Sequence, residues 1–232
     1  MKTVRFIHSV VGIGAGVAVL SASSSEVLAA VVAQYNFGQL GPHVTDPNLT
    51  ASNVTRSSNS LFNAFNHNTT SSSYTGGSSN PFLSVSPSSN DVNDQSEAVS
   101  NGVYWYVTLT PSSGYTIDLD TIKFTSFRGG TSQPRGFAVY SSVDSFSSPL
   151  LVQPDEPLVR STSTFHNNTI TLGSGYDNLA APVTFRFYIW TPTNTNTIDF
   201  DDLTFEGNVI PEPSGLLMLG SIAGMLVRRR RV

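Results

Sequence analysis

The stretch Val103-Tyr104-Trp105-Tyr106-Val107-Thr108-Leu109-Thr110 decides the fold. Val103, Trp105, Val107 and Leu109 alternate with Tyr104, Tyr106, Thr108 and Thr110, the two-residue period of a strand with one buried face. Val183 to Thr191 repeats the pattern, with Val183, Phe185, Phe187 and Ile189 set against Thr184, Arg186, Tyr188 and Trp190. Further runs follow the same rule: Ile117 to Phe127, stopped by Arg128-Gly129-Gly130; Arg135 to Ser141, with Phe137 and Val139 inward; Leu158 to Phe165; Thr169 to Leu172; and Thr197 to Gly207. Pro111-Ser112-Ser113-Gly114 and Ser147-Ser148-Pro149 supply turns between them. No stretch between residues 34 and 213 keeps a helical period, and β-branched and aromatic residues fill the runs. The expected fold is all-β, an antiparallel two-sheet sandwich, with a jelly roll as the expected topology.

Upstream, Gln34 to Gln39 reads as a first strand, with Tyr35 and Phe37 on one face. Residues 45–93 are rich in Ser, Thr and Asn, with apolar islands at Leu49 to Val54, at Leu61-Phe62 with Phe65, and at Phe82 to Val85. The islands predict short edge strands joined by long loops, and Ser71 to Asn80 is expected to be mobile.

The two extremities have a different character. Lys2 and Arg5 precede the apolar run Val10 to Leu20, and small residues lead on to Ala29-Ala30-Val31-Val32-Ala33. This order predicts a secretory signal helix over residues 1–33, cleaved after Ala30 or Ala33. At the other end, Pro211-Glu212-Pro213 is followed by the uncharged run Gly215 to Val227 and then by Arg228, Arg229, Arg230 and Arg231. As a helix that run rises only ~20 Å, short of a ~30 Å hydrocarbon core, which suits a transient anchor. The arginines would stay on the cytoplasmic side and attract anionic lipid. The two prolines disfavour helix, so the Pro-Glu-Pro segment is expected to be extended and open to a processing enzyme.

The arrangement of Pro211-Glu212-Pro213, apolar helix and terminal arginine cluster resembles the PEP-CTERM sorting signal of exported bacterial proteins. That resemblance implies processing by an exosortase, a membrane-embedded cysteine protease. It also implies passage through the cell envelope, with the cargo then extracellular or held at the surface. It covers residues 209–232 and says nothing of the cargo's activity, leaving residues 34–208 as the domain.

Without its ends the chain is acidic: residues 34–213 hold six basic and fifteen acidic residues, a net charge of −9. Six scattered cations make no stripe for phosphate, which excludes nucleic acid as an expected partner. There is no cysteine, so stability in the exported state rests on the core alone. The run Tyr104 to Pro111 with Gly114-Tyr115, the segment Gly136 to Phe146, and Asp199-Phe200-Asp201-Asp202-Leu203-Thr204-Phe205-Glu206-Gly207 are similar to a group of PEP-CTERM cargo domains. The last segment departs from many members, which have Asp-Asn. That likeness implies a galactose-binding-type or laminin-G-like sandwich and carries no function.

Two sites are expected within the domain. Ile198 and Phe200 have one parity and Leu203 and Phe205 the other, so a β-bulge must absorb a residue near Asp201-Asp202. Asp199, Asp201 and Asp202 at that irregularity could hold a structural Ca²⁺ with backbone carbonyls. Trp105, Tyr106, Tyr188 and Trp190 offer flat faces for a pyranose ring. Trp105 shares the parity of the core residues, which leaves Trp190, on the polar face with Arg186, as the candidate ligand-binding residue. His43, His67 and His166 have no zinc spacing, no Gly-x-Ser-x-Gly elbow is present, and Glu97 with Asp202, a carboxylate pair that could be proposed for a glycosidase, is of a kind any acidic sandwich offers by chance. No catalytic residue is assigned. The sequence therefore predicts a secreted, envelope-sorted structural or adhesive protein of the extracellular matrix, with a carbohydrate-binding module as the alternative.

Overall fold

The computed structural model describes residues 29–69, 81–128, 135–154 and 166–212. Residues 1–28 of the expected signal helix, the segment 71–80 expected to be mobile, the strand expected at Leu158 to Phe165, Pro213, the apolar run and the arginine cluster lie outside these residues. Among the described residues no helix is long and apolar enough to cross a membrane.

Among the described residues the strands are β1 (Ala30–Tyr35), β2 (Val44–Thr45), β3 (Leu49–Ala51), β4 (Thr55–Arg56), β5 (Phe62–Thr69), β6 (Phe82–Pro87), β7 (Tyr104–Pro111), β8 (Tyr115–Arg128), β9 (Gly136–Ser141), β10 (Pro149–Gln153), β11 (His166–Thr171), β12 (Val183–Trp190) and β13 (Ile198–Pro211), with one α-helix, α1 (Gln95–Asn101). They form two antiparallel sheets. One runs β11-β8-β13-β1-β2, with β6 also paired to β13 and β5 to β6; the other runs β10-β9-β12-β7-β3, with β4 also on β7. The alternation in β7 and β12 places Trp105, Val107, Leu109, Phe185 and Phe187 between the sheets, all fully buried. Aromatic contacts join the two layers: Trp105 of β7 meets Phe200 of β13 at 5.2 Å, Phe124 of β8 meets Phe137 of β9 at 5.6 Å, and Phe185 of β12 meets Phe205 of β13 at 5.2 Å. Within its own sheet Trp105 stacks on Phe187 at 3.9 Å. The expected antiparallel two-sheet sandwich is the observed architecture.

Three details differ from the sequence expectation. The first strand begins at Ala30 rather than Gln34, inside the expected leader, and Phe37 leaves the strand with φ 55° while remaining buried. The island at Phe82 to Val85 is an interior strand, because β6 is bonded to both β13 and β5. Residues 95–101 form a helix that periodicity does not reveal. Asp94 caps it by accepting from the Glu97 N–H at 2.9 Å, Glu97 reaches back to the Asn93 N–H, and Gly102 closes it at φ 67°.

The position of β1 bears on the leader. Val32 and Ala33 are buried, and β1 is laddered to β13 from Ala30↔Gly207 to Tyr35↔Leu203. Cleavage after Ala33 would remove a bonded, buried half-strand, whereas cleavage after Ala30 leaves it in place. The expected mature N-terminus is therefore Val31, read by N-terminal sequencing of the exported protein. A mature chain starting at Gln34 would contradict it.

Candidate functional site

The outer face of the β10-β9-β12-β7-β3 sheet carries the polar parity of β7 and β12. Register sets Tyr106 beside Arg186 and Tyr104 beside Tyr188, while Arg186 faces Tyr140 on its other side. Tyr104 lies 5.0 Å from the Tyr188 ring and 6.1 Å from that of Tyr106, and Tyr140 lies 5.1 Å from Tyr188, so the rings form a continuous cluster of tilted and edge-on neighbours. Beyond β9 the chain turns through a short 3-10 segment, Ser142 to Asp144, with its N-terminus capped by the Ser141 hydroxyl. Ser145 and Phe146 then both take left-handed backbone, φ 62° and 59°. For a phenylalanine that conformation is strained, and the surroundings must hold it. The Phe146 N–H donates to Ser141 O at 2.9 Å, and Asp144 accepts from the Ser147 and Ser148 N–H groups. The result folds the Phe146 ring back over the sheet, with its centroid 3.6 Å from the Arg186 guanidinium carbon. Tyr104 meets the same carbon at 4.4 Å.

Ser57, Tyr104, Tyr106, Phe146, Thr184 and Arg186 are the principal walls of a groove of about 410 Å³, within the size range of small-ligand sites. Tyr104, Tyr106, Phe146 and Arg186 are all half-buried there. The groove therefore pairs flat aromatic faces with a fixed cation and with hydroxyl groups.

Trp190 does not belong to it. Its side chain is 2% exposed, and its Nε1 donates to Pro154 O at 3.2 Å, so the surface role expected from parity is corrected. The parity itself is right. That face is covered at the Trp190 end, where Trp190 pairs with Gly136 and the indole occupies the space a Gly136 side chain would need. Tyr188 is likewise buried at 5% exposure, under the part of the sheet where Gln95 of α1 donates to the Tyr140 hydroxyl. Trp105 lies in the core as its parity predicts. Of the expected aromatic faces, Tyr106 alone lines the groove; Tyr104, Phe146 and Arg186 join it.

The bulge near Asp201-Asp202 is present: the β13–β8 register shifts between Asp201 and Thr204, and Asp202 has φ 51°. Asp199 and Asp201 are buried there, whereas Asp202 is half-exposed and its N–H donates to Asp201 Oδ1 at 2.8 Å. Arg135, also buried, brings positive charge to the start of β13, where its Nη1 donates to Thr197 O at 3.0 Å. Among the described residues no group of three His, Asp or Glu stands close enough to hold a metal ion. A calcium ion here would thus rely on the buried pair Asp199 and Asp201, completed by backbone oxygens. Of the other residues weighed, Glu97 is engaged in capping α1, and His43 and His67 are exposed.

Pro211 and Glu212 close the last strand. Pro211 pairs with Tyr115, and the Glu212 N–H donates to Gly114 O at 2.8 Å. The segment is extended and exposed, as expected, and it is also tied to the sheet.

No family model matches the chain, and no curated protein is significantly similar to it in sequence. Among solved structures, the K1 adhesin domain of Lys-gingipain from Porphyromonas gingivalis is 16% identical, with a TM-score of 0.43 over 75% of this chain and 97% of that one. The K3 adhesin domain of the same protein is 17% identical, with a TM-score of 0.44 over 76% and 99%. A family 35 carbohydrate-binding module from an environmental isolate is 13% identical, with a TM-score of 0.35 over 68% and 96%. At such identities and TM-scores these likenesses say nothing of what the chain binds.

Proposed function

We propose that the chain is an exported adhesive module of the cell surface or extracellular matrix, and that it adheres by binding glycan in the groove beside Arg186. The observation that carries this reading is the half-exposed set of rings, Tyr104, Tyr106 and Phe146, that lines one groove. Aromatic planes suit the apolar face of a pyranose, and nearby hydroxyls suit its polar rim. A purely structural matrix component would have no need of a strained Phe146 closing a groove. The C-terminal tail is read as a sorting signal that an exosortase removes, and the apolar run as a transient membrane anchor.

The test is retention of the protein, expressed as the full chain with both ends and purified after export, on a panel of neutral and acidic polysaccharides that includes the matrix of the source cells. Tyr106→Ala is expected to weaken retention about tenfold or more, as loss of a central aromatic contact does. Its melting temperature should hardly move, because the side chain is half-exposed. No retention of the unaltered protein on any member of the panel refutes the reading.

A structural calcium at Asp199 and Asp201 is a separate part of the proposal, supported by the burial of both carboxylates beside a bulge. A cation that binds the folded chain and not the unfolded one would raise the melting temperature. Equal melting in calcium and in excess chelator removes it.

A further inference from the structure

We infer that the groove selects an acidic saccharide, one whose pyranose carries a carboxylate, and that Arg186 receives this group. The inference rests on the glycan reading and narrows it to a ligand class.

Arg186 is held in an uncommon way for a cation on a sheet surface. Its guanidinium carbon lies 3.6 Å from the centroid of Phe146 and 4.4 Å from that of Tyr104, so the cation sits over two aromatic rings. The guanidinium brings to the groove a planar fork of N–H donors. Among the described residues, its one hydrogen-bond acceptor is the Tyr188 hydroxyl, a long 3.4 Å from Nη1. Among the described residues no carboxylate pairs with Arg186. The contrast with Lys123 is plain: its Nζ is 2.7 Å from Glu206, and Lys123 followed by Thr121 holds the Glu206 carboxyl below the usual carboxylate range. Arg56 lies over Phe65 and does not line the groove.

The wall of the groove is selective as well. Of its eight lining residues, Arg186 alone is charged. In a domain with fifteen acidic residues against six basic ones between 34 and 213, a groove free of carboxylates and centred on one cation is a local reversal of sign. A planar fork matches a carboxylate in two-point fashion, which a compact ammonium could not do. The arginine is also fixed before binding, so little side-chain freedom is lost when the ligand arrives. Tyr106, next to Arg186 across the β7–β12 ladder, would then lie under the sugar ring whose carboxylate the fork holds.

Polygalacturonate and its fully methyl-esterified form differ in charge but share a backbone, so the pair tests the inference without altering the protein. The expected result is at least tenfold tighter retention of the acid polymer than of the ester. Arg186→Gln should abolish that preference, and Arg186→Lys should restore only part of it, because charge returns without the fork. Dextran sulfate serves as the control for charge alone. Equal retention of the acid and ester polymers by the unaltered protein overturns the acidic-ligand inference while leaving glycan binding intact. So does stronger retention on dextran sulfate than on polygalacturonate. Failure of the glycan reading is a different result, with no polysaccharide of the wider panel retained at all.

Discussion

Phe200→Ala should cost the domain about 3–5 kcal/mol and lower its melting temperature by roughly 6–20 °C. Phe200 sits on β13 and is 1% exposed. Its ring meets Trp105 at 5.2 Å, Phe137 at 5.3 Å, Phe124 at 6.1 Å and Phe187 at 6.1 Å. Those four rings come from β7, β9, β8 and β12, two sheets whose spacing is set by their own ladders. A void at this point cannot close by moving one neighbour, so most of the lost contact stays lost. Urea or thermal unfolding measures the effect. Phe65→Ala, on outlying β5 and only partly buried, should cost clearly less. A cost below about 1 kcal/mol for Phe200→Ala would place the shared core elsewhere.

The second large effect is expected at Gly207. A methyl group there would overlap the Asp118 carbonyl oxygen and come within 3.0 Å of Leu119 Cα. Both are backbone atoms of β8, and β13 is also laddered to β1 through Ala30↔Gly207. The clash therefore has no flexible side chain to displace. It can be relieved only by opening a ladder near the register shift at Glu206/Gly207. Gly207→Ala should destabilise by the upper part of the about 1–3 kcal/mol range for overpacking, or more. Gly173→Ala, where nothing lies within 4 Å of the added carbon, is the matched control and should be near neutral. Equal melting of the two variants would falsify the steric account.

Much of this architecture is legible in the residues because a strand with one wet and one dry face writes its period directly. The alternation of β7, the inward face of β12 and the parity flip in β13 are legible, down to the bulge at Asp201-Asp202. What escapes has physical causes. Period two assigns a side chain to a face but does not say what else lies on that face, so Trp190 reads as exposed while the Pro154 segment covers it. A helix of seven residues is too short to show a 3.6-residue period; its signal was the Asp94 and Glu97 pair followed by Gly102. The start of β1 is hidden because a signal region and a buried strand are both apolar. In the candidate site, Tyr106 was legible and Arg186 visible only as a polar-face residue. The contribution of Phe146 depends on two consecutive left-handed residues, Ser145 and Phe146, that no composition rule predicts.

The pairing of β1 with β13 also determines how the molecule would carry mechanical load. The start of β1 and the finish of β13 lie side by side, so pulling those two points apart peels the strands open one rung at a time. Tension entering through the groove and leaving through Glu212 takes another path. It drags β13 lengthwise against β8, from Ile198↔Arg128 to Pro211↔Tyr115, and many rungs resist together. A single-molecule stretching measurement should find the second direction the stronger.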